Sequence, residues 1–247
     1  MYKTDSAPLG QGQATLRMLQ LSGMLSMDVP EKLQLSYWGD LIDSFFVPSA
    51  VVKLQLWKDN QNAEAKIFEV GTPILPRFFL VTTQSGVKSM SLTLDGAREV
   101  VTGPNLVVVE VVSAVWTYKY QNGYTITLRG PLSAQMCFVS PPNGASVQSL
   151  AQPHAQLKIA GMSFSSEKFE KFISFDAIHG QLMDPIVKTP RLRQTQAPIN
   201  GVLTPAKAED EKWEEPRMLY ERATIPAEPV NAFGIPQATM RCLEVST

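Results

Sequence analysis

Alternating apolar and polar positions in the middle of the chain predict a fold that is mainly β. The alternation runs through Ala50 to Trp57 and, after a polar turn, continues through Ala65 to Val70, which predicts a hairpin. A second hairpin is predicted to join Phe78 to Val81 with the segment from Ser89 to Leu94. Further strands are predicted at Gln156 to Phe164, at Leu132 to Val139 and at Ala14 to Leu25.

Apolar residues at helical spacing are confined to short stretches. Trp38 to Phe46 follows steps of three and four residues and Pro48 ends it, so a short helix is predicted there. Asp95 is positioned to cap a second short helix that reaches Val101. The residues after Ser166 fit either a short amphipathic helix or a strand. The sequence therefore predicts one or two short helices within a β-rich chain.

The longest strand pattern, Leu106 to Tyr120, turns at Asn122-Gly123 and returns through Tyr124 to Arg129. Asn-Gly favours a two-residue turn, which would fix the register of this hairpin. In that register one face carries Trp116, Tyr118, Tyr120, Thr127 and Arg129, and the other carries Val107, Val109, Val111, Ile126 and Leu128. The aliphatic face is expected to be core, and the aromatic face is expected to be more open.

Proline marks the predicted boundary of the β-rich domain. Eight of the chain's 18 prolines follow Met183, and proline can neither continue a helix nor donate to a sheet. We predict a flexible N-terminal arm at residues 1–12, a β-rich globular domain at 13–182 and a Pro-rich extended tail at 183–247. Four apolar tail residues are predicted to contact a partner or a second copy: Trp213, Leu219, Tyr220 and Phe233.

The overall charge is close to zero. The 247 residues include 22 Lys and Arg against 23 Asp and Glu, a formal net charge of −1, which provides no global field for a polyanion. Nucleic acid would therefore need a local binding site. No apolar run reaches the roughly 18 residues that a membrane helix needs, so no membrane contact is expected. A cytoplasmic location is predicted, in the host cytoplasm if the protein is viral.

Residue types that carry catalysis are sparse in this sequence. The two histidines, His154 and His179, are 25 positions apart, and the two cysteines lie in no metal-ligand spacing. Asp40 and Asp43 are typical of a solvated helix face, and the acidic block Glu209 to Glu215 is typical of a solvating or partner-binding segment. We assign no catalytic residue, metal or cofactor, and predict that the protein is not an enzyme.

The predicted aromatic face offers one constellation with a binding mechanism. Bases stack on aromatic planes and a guanidinium neutralises phosphate, which predicts a site for single-stranded nucleic acid at Trp116, Tyr118, Tyr120, Thr127 and Arg129. Each stacked base contributes about 1–3 kcal/mol. Cross-strand aromatic pairs also stabilise sheets by themselves, so the same face is open to a second interpretation, in which protein covers it.

The order of these elements resembles that of OB-fold single-stranded DNA-binding proteins, with strands, a short helix at Asp95 to Val101 and a long hairpin at Leu106 to Arg129. The resemblance covers roughly residues 50–140 and implies an OB-like barrel, while a small sandwich is also compatible with the pattern. It also implies an acidic tail that recruits replication partners. This chain departs from that pattern, because it ends in Leu243 to Thr247 rather than in an acidic tip.

Two functions are compatible with these observations. The first is single-stranded DNA binding in a replication or recombination system, such as that of a phage or mobile element. The alternative is a non-enzymatic structural or assembly protein, a virion or complex subunit that forms oligomers and contacts its neighbours through its tail. The position of the three rings distinguishes them, because exposed rings favour DNA binding and rings covered by residues 183–247 favour assembly.

Overall fold

The computed structural model describes residues 12–59, 63–139, 156–183 and 219–246. The chain divides into two compact units. The larger comprises Met1–Ala177 together with Ala227–Thr247, and the smaller comprises Ile178–Pro226. An eight-stranded sheet with its helices lies in the larger unit, and a two-stranded sheet lies in the smaller one.

Four α-helices and ten strands lie in the described residues. The helices are α1 (Gln13–Ser26), α2 (Leu35–Phe45), α3 (Leu75–Gln84) and α4 (Gln237–Ser246). The large sheet contains β1 (Phe46–Trp57), β2 (Ala65–Gly71), β3 (Val87–Thr93), β4 (Arg98–Gly103), β5 (Leu106–Tyr120), β6 (Tyr124–Val139), β7 (Gln156–Ser166) and β8 (Lys168–Ile173). The small sheet contains β9 (His179–Met183) and β10 (Leu219–Thr224).

The large sheet is open. Its strands follow the order β2-β1-β7-β6-β5-β3, with β4 also paired to β5 and β8 also paired to β6. β1 and β7 run parallel, and all other neighbouring strands are antiparallel. The predicted mainly β fold is confirmed, but the sheet does not close into the OB-like barrel that the resemblance implied.

The strongest alternation patterns are strands in the structure. β1 buries Val52, Leu54 and Leu56 at every second position, as the alternation predicts. Leu132 to Val139 is not a separate strand, because it continues the same strand as Tyr124 to Arg129. The residues after Ser166, which fitted either a helix or a strand, form β8.

The prediction of a strand at Ala14 to Leu25 is wrong, because these residues form α1. The inner face of α1 buries Met18, Leu21 and Leu25 at helical spacing. Apolar residues also lie on its outer face, mixed with Gln13 and Gln20, so the helical period is hard to recognise in the sequence.

The hairpin predicted from Phe78 to Leu94 and the helix predicted after Asp95 are also wrong. Phe78 and Phe79 lie in α3, where both side chains are buried and where prolines near the helix start fix the backbone. Asp95 lies in a tight turn beside Gly96, whose φ is 70°, and the chain continues as β4. A turn and a strand therefore take the place of the predicted helix.

The hairpin between β5 and β6 is confirmed, but its predicted register is wrong. The loop contains three residues, with Gly123 in the left-handed region at φ 88°. Tyr118 therefore lies opposite Ile126 instead of Thr127. Because successive side chains point to opposite faces, this shift of one position places the aromatic and the aliphatic side chains on the same face.

A register shift between Val111 and Ala114 changes which positions of β5 face the core. Before the shift the buried residues have odd numbers, as at Val107 and Val109, and after it they have even numbers, as at Trp116. One long strand therefore contributes both its predicted aliphatic residues and its aromatic residues to the core.

The C-terminal region differs from the predicted extended tail. Residues from Ala227 onward belong to the larger unit, and four of their apolar side chains are buried in it: Phe233, Ile235, Met240 and Leu243. The helix α4 lies within this region. Residues 184–218, residues 1–11 and His154 lie outside the described residues, and so do the acidic block and most of the predicted N-terminal arm.

Candidate functional site

The three rings of the predicted nucleic-acid-binding face lie in the core. Trp116, Tyr118 and Tyr120 are 3%, 3% and 2% exposed. The rings of Trp116 and Tyr118 are parallel, with centroids 6.1 Å apart. Burial raises the pKa of both tyrosine hydroxyls far above the ordinary value, and the charge of Tyr120 raises that of Tyr118 further. These rings present no open plane on which a base could stack.

The other two residues of that predicted site lie on the opposite, outer face of the sheet. Arg129 is exposed, and its Nη1 donates a hydrogen bond to Ser113 Oγ over 3.3 Å. Thr127 is half-buried beside its cross-strand neighbour Thr117. The five residues predicted to bind nucleic acid are therefore divided between two faces and do not form one site.

The four predicted tail contacts have different environments. Trp213 lies outside the described residues. On β10, Leu219 is exposed and Tyr220 is half-buried. Phe233 is 8% exposed, and Lys66 Nζ lies 5.4 Å from the centroid of its ring. Their contacts with a partner remain a prediction.

The outer face of α1 exposes several apolar side chains, with the polar Gln20 among them. At helical spacing, Leu16 and Leu19 lie on one side of the helix with Met24 at its margin, and exposed Met27 directly follows the last helical residue. Their exposed fractions range from 36% at Met24 to 56% at Leu16. Gly23 lies at the centre of this surface, with open space where a Cβ would be. We name this surface, formed by Leu16, Leu19, Gly23, Met24 and Met27, the α1 stripe.

Both ends of α1 are fixed by charged side chains from outside the helix. The Glu99 carboxylate accepts hydrogen bonds from the backbone N–H of Gly12 over 2.9 Å and of Thr15 over 2.6 Å. At the other end the buried Lys32 Nζ donates to the carbonyl oxygen of Leu25 over 2.6 Å. These charges complement the helix dipole, so α1 is a fixed platform for its stripe.

Side contacts attach α1 to the sheet and to α2. The Arg17 guanidinium donates to the carbonyl oxygens of Leu157 and Ser44 and lies 3.9 Å from the ring centroid of Phe45. Burial lowers the pKa of Arg17. The Ser22 hydroxyl exchanges two hydrogen bonds with the backbone of Leu92 on β3. These contacts hold Arg17 against β7 and α2. None of the five residues of the α1 stripe is charged.

Other candidate chemistry is not assembled in the described part of the chain. Asp40 and Asp43 are exposed on α2, and His179 is exposed on β9. Within residues 12–59, 63–139, 156–183 and 219–246, no three acidic, histidine or cysteine side chains are grouped as metal ligands would be. Among the same residues, no helix has the length and apolar character needed to cross a membrane.

Comparison with known proteins identifies relatives of this chain. The profile of the LIM-domain binding protein family matches residues 16–247. Adhesion defective protein 1 of Schizosaccharomyces pombe is 26% identical over 249 aligned residues, which cover all of this chain and 58% of that protein. Transcriptional activator ptaB of Aspergillus fumigatus is 30% identical over 105 residues, 36% of this chain and 14% of that protein. The chain thus spans little more than half the length of the first relative.

Comparison with solved structures gives a match to the nuclear transport factor 2 (NTF2-like) superfamily protein of Salmonella enterica. It is 15% identical and covers 62% of this chain and 92% of its own, at a TM-score of 0.35.

These findings correct the sequence-based identification. The family match and the relatives contain no OB-fold or single-stranded DNA-binding protein, so the predicted resemblance is wrong. For the same reason, the predicted DNA partner is wrong, and so is the predicted role in phage replication or recombination. The buried rings agree with this correction, because they offer no exposed plane to a DNA base. The signal that sequence reasoning missed is the second apolar face of α1.

Proposed function

The chain belongs to the LIM-domain binding protein family, and on this premise we propose that it is a non-enzymatic protein-binding module of a transcriptional co-regulator. The name of the Aspergillus relative supports a role in transcription, and the nucleus and the cytoplasm are both suitable locations. The family description supports a LIM-domain protein as one partner. The observation that carries the proposal is the α1 stripe, which is a largely apolar and uncharged surface on a fixed helix.

The partner that best fits the α1 stripe is a second copy of this chain. Gly23 lies midway in sequence between Leu19 and Met27, and it has open space above it. Two antiparallel helices that cross at Gly23 can approach closely, and each Leu19 then lies against the Met27 of the other copy. A contact of this kind is self-complementary, as a two-fold interface must be.

Replacing Leu19 with Glu tests the self-association part of the proposal. The full chain should sediment as a dimer, and Leu19→Glu should weaken association at least about tenfold, because a carboxylate loses its water at an apolar interface. The helical circular dichroism signal should not change, since Leu19 is 47% exposed in the single chain. The control is Gln121→Glu, which adds the same charge at the exposed hairpin loop.

A chain that stays monomeric at tens of micromolar would contradict the dimer, and so would a Leu19→Glu dimer as tight as the parent. The partner class is tested separately, by isothermal titration of the full chain with a purified LIM-domain protein. Absence of binding in that titration would refute the LIM-domain partner and leave the dimer measurement unaffected.

A further inference from the structure

The chain between α1 and α2 exposes two leucines close together. After α1 the backbone forms a short 3₁₀ helix, Pro30–Leu33, and α2 begins at Leu35. Leu33 is 60% exposed and Leu35 is 53% exposed. Gln34 between them is extended, with φ −106° and ψ 136°, and side chains on either side of an extended residue point in the same direction. We name the apolar surface formed by Leu33 and Leu35 the leucine surface.

Contacts of the neighbouring residues hold the leucine surface in place. The Lys32 side chain is buried, and its Nζ donates to the carbonyl oxygen of Leu25 in α1 over 2.6 Å. The indole N–H of Trp38 donates to the carbonyl oxygen of Lys32 over 2.8 Å, and its ring stacks on Phe79 of α3. A partner therefore meets two leucines on a backbone that is already ordered, which lowers the entropic cost of binding.

The charged groups next to the leucine surface are mainly acidic. Asp28 and Glu31 are exposed, and neither forms an ion pair within the described residues. Burial lowers the pKa of Lys32 and the charge of Asp28 opposes this effect, while burial and the charge of Glu31 both raise the pKa of Tyr37. Both carboxylates thus lie near residues that flank the leucines. Between positions 18 and 46 of the sequence the only basic residue is the buried Lys32.

One exposed cation comes close from the sheet. Ser89 Oγ on β3 donates to the carbonyl oxygen of Ser26 at the end of α1 over 3.0 Å, and the neighbouring Lys88 is exposed. In the part of the chain that the structure describes, Lys88 forms no ion pair either. Two carboxylates outnumber this lysine, so the charge around the leucine surface is negative on balance.

This combination of groups fits a basic amphipathic helix of a partner protein. The apolar face of such a helix can cover the two leucines, and Lys or Arg beside that face can pair with Asp28 and Glu31. A second copy of this chain fits less well, because it would bring its own carboxylates to the same place, where like charges repel. An anionic membrane surface would be repelled by the same carboxylates.

We propose that the leucine surface is a docking site for a basic amphipathic helix of a partner protein. The inference rests on the proposed function, because it gives the protein-binding module a second contact surface. The leucine surface is distinct from the α1 stripe, since Leu33 and Leu35 follow the end of α1 and share no residue with the stripe. The two surfaces can therefore be tested separately.

The probe for this site is a synthetic peptide of leucine and lysine, about 14 residues or four helical turns long, with its leucines on one face of the helix. Its binding to the full Leu19→Glu chain is measured by isothermal titration, so that self-association through the α1 stripe does not contribute. We expect a dissociation constant on the order of 10–100 μM at low salt, and weaker binding as salt is added. A matched peptide with glutamate in place of every lysine should not bind.

Replacing both leucines tests the apolar part of the site. The double variant Leu33→Ser, Leu35→Ser should bind the lysine peptide at least about tenfold more weakly, because the apolar face of the peptide then has nothing to cover. The matched control is Ile67→Ser on β2, which removes a side chain that is 65% exposed. This control should bind the peptide as the Leu19→Glu chain does.

Replacing the charged groups tests the electrostatic part. The double variant Asp28→Asn, Glu31→Gln should bind the lysine peptide about threefold to tenfold more weakly and should depend less on salt. Lys88→Gln should bind it more tightly, because it removes a like charge. The matched control is Glu110→Gln on β5, which should leave the affinity unchanged.

Three results would overturn the proposal. The first is no binding of the lysine peptide at hundreds of micromolar, or equal binding of the glutamate peptide. The second is a loss of affinity with Ile67→Ser as large as with the double leucine variant. The third comes from sedimentation without the Leu19→Glu change: if Leu33→Ser with Leu35→Ser separated a dimer that Leu19→Glu leaves intact, a second copy would be the occupant. A chain that is monomeric throughout would contradict only the dimer of the α1 stripe.

Discussion

At the scale of single residues, Glu99 shows how a strand controls the helix that carries the α1 stripe. The N-terminus of α1 has Gly12 at its cap position and no side chain of its own that caps it. Glu99, 84 positions after Thr15, supplies the carboxylate instead. Burial by itself would raise the pKa of Glu99, but the hydrogen bonds from Thr15 and Gly12 outweigh it and lower the pKa.

We expect Glu99→Gln to lower the free energy of unfolding by about 1 kcal/mol at pH 7, as loss of a charged helix cap does. A carboxyl whose pKa is lower in the folded state stabilises the fold above its unfolded pKa, and this stabilisation is lost as the pH falls through the folded value. The difference between parent and variant, measured by urea unfolding, should therefore shrink below about pH 4.5.

Exposed Glu110, on the neighbouring strand β5, provides the control. Glu110→Gln should change the stability by less than about 0.5 kcal/mol at either pH. A Glu99→Gln deficit that is equally large at pH 7 and at pH 3.5 would show that the charge is not what stabilises α1.

At the scale of elements, the sheet depends on a close approach between β6 and the turn that joins β7 to β8. Glu167 N–H in that turn donates to the carbonyl oxygen of Arg129 over 3.0 Å. A Cβ on the adjacent Gly130 would lie only 1.8 Å from the backbone oxygen of Ser165. Glycine is required here because backbone atoms cannot move aside as a flexible side chain can.

Gly130→Ala should therefore destabilise the larger unit by about 1–3 kcal/mol or more, the usual cost of forcing an extra methyl group into a packed site. The matched control is Gly39→Ala in α2, where a Cβ meets nothing within 4 Å. It should stabilise the protein by about 0.5–1 kcal/mol through helix propensity. Equal effects of the two substitutions on urea unfolding would contradict the close approach.

The same elements show which parts of the fold could be predicted from sequence. Strands with one buried face, such as Ala50 to Trp57, were predictable because burial repeats at every second residue. The register at Gly123 and the register shift after Val111 depend on contacts between distant residues, so the faces of the aromatic residues were not predictable. The α1 stripe was hidden because both faces of this helix are apolar.

At the scale of the whole molecule, the larger unit is assembled from two parts of the sequence that are far apart. Met1–Ala177 supplies the sheet and three helices, and Ala227–Thr247 supplies α4. The 14-residue helix α1 and the 10-residue helix α4 both bury apolar side chains in this unit. Its stability therefore depends on residues that follow the proline-rich region, which proline content alone would assign to a separate tail.

A chain that ends at Pro226 should lose most of its stability. Burial of an apolar side chain contributes about 1.5–3 kcal/mol. The buried side chains of Phe233, Ile235, Met240 and Leu243 therefore contribute about 6–12 kcal/mol together. A typical domain has about 5–15 kcal/mol in total. We expect this truncated chain to bind a hydrophobic dye and to unfold without a cooperative urea transition.

A second chain that ends at Glu244 keeps Leu243 and the ion pair with Lys66, so it should unfold as the parent does. If the chain ending at Pro226 unfolded cooperatively at the same urea concentration as the chain ending at Glu244, the sheet would form its core without α4.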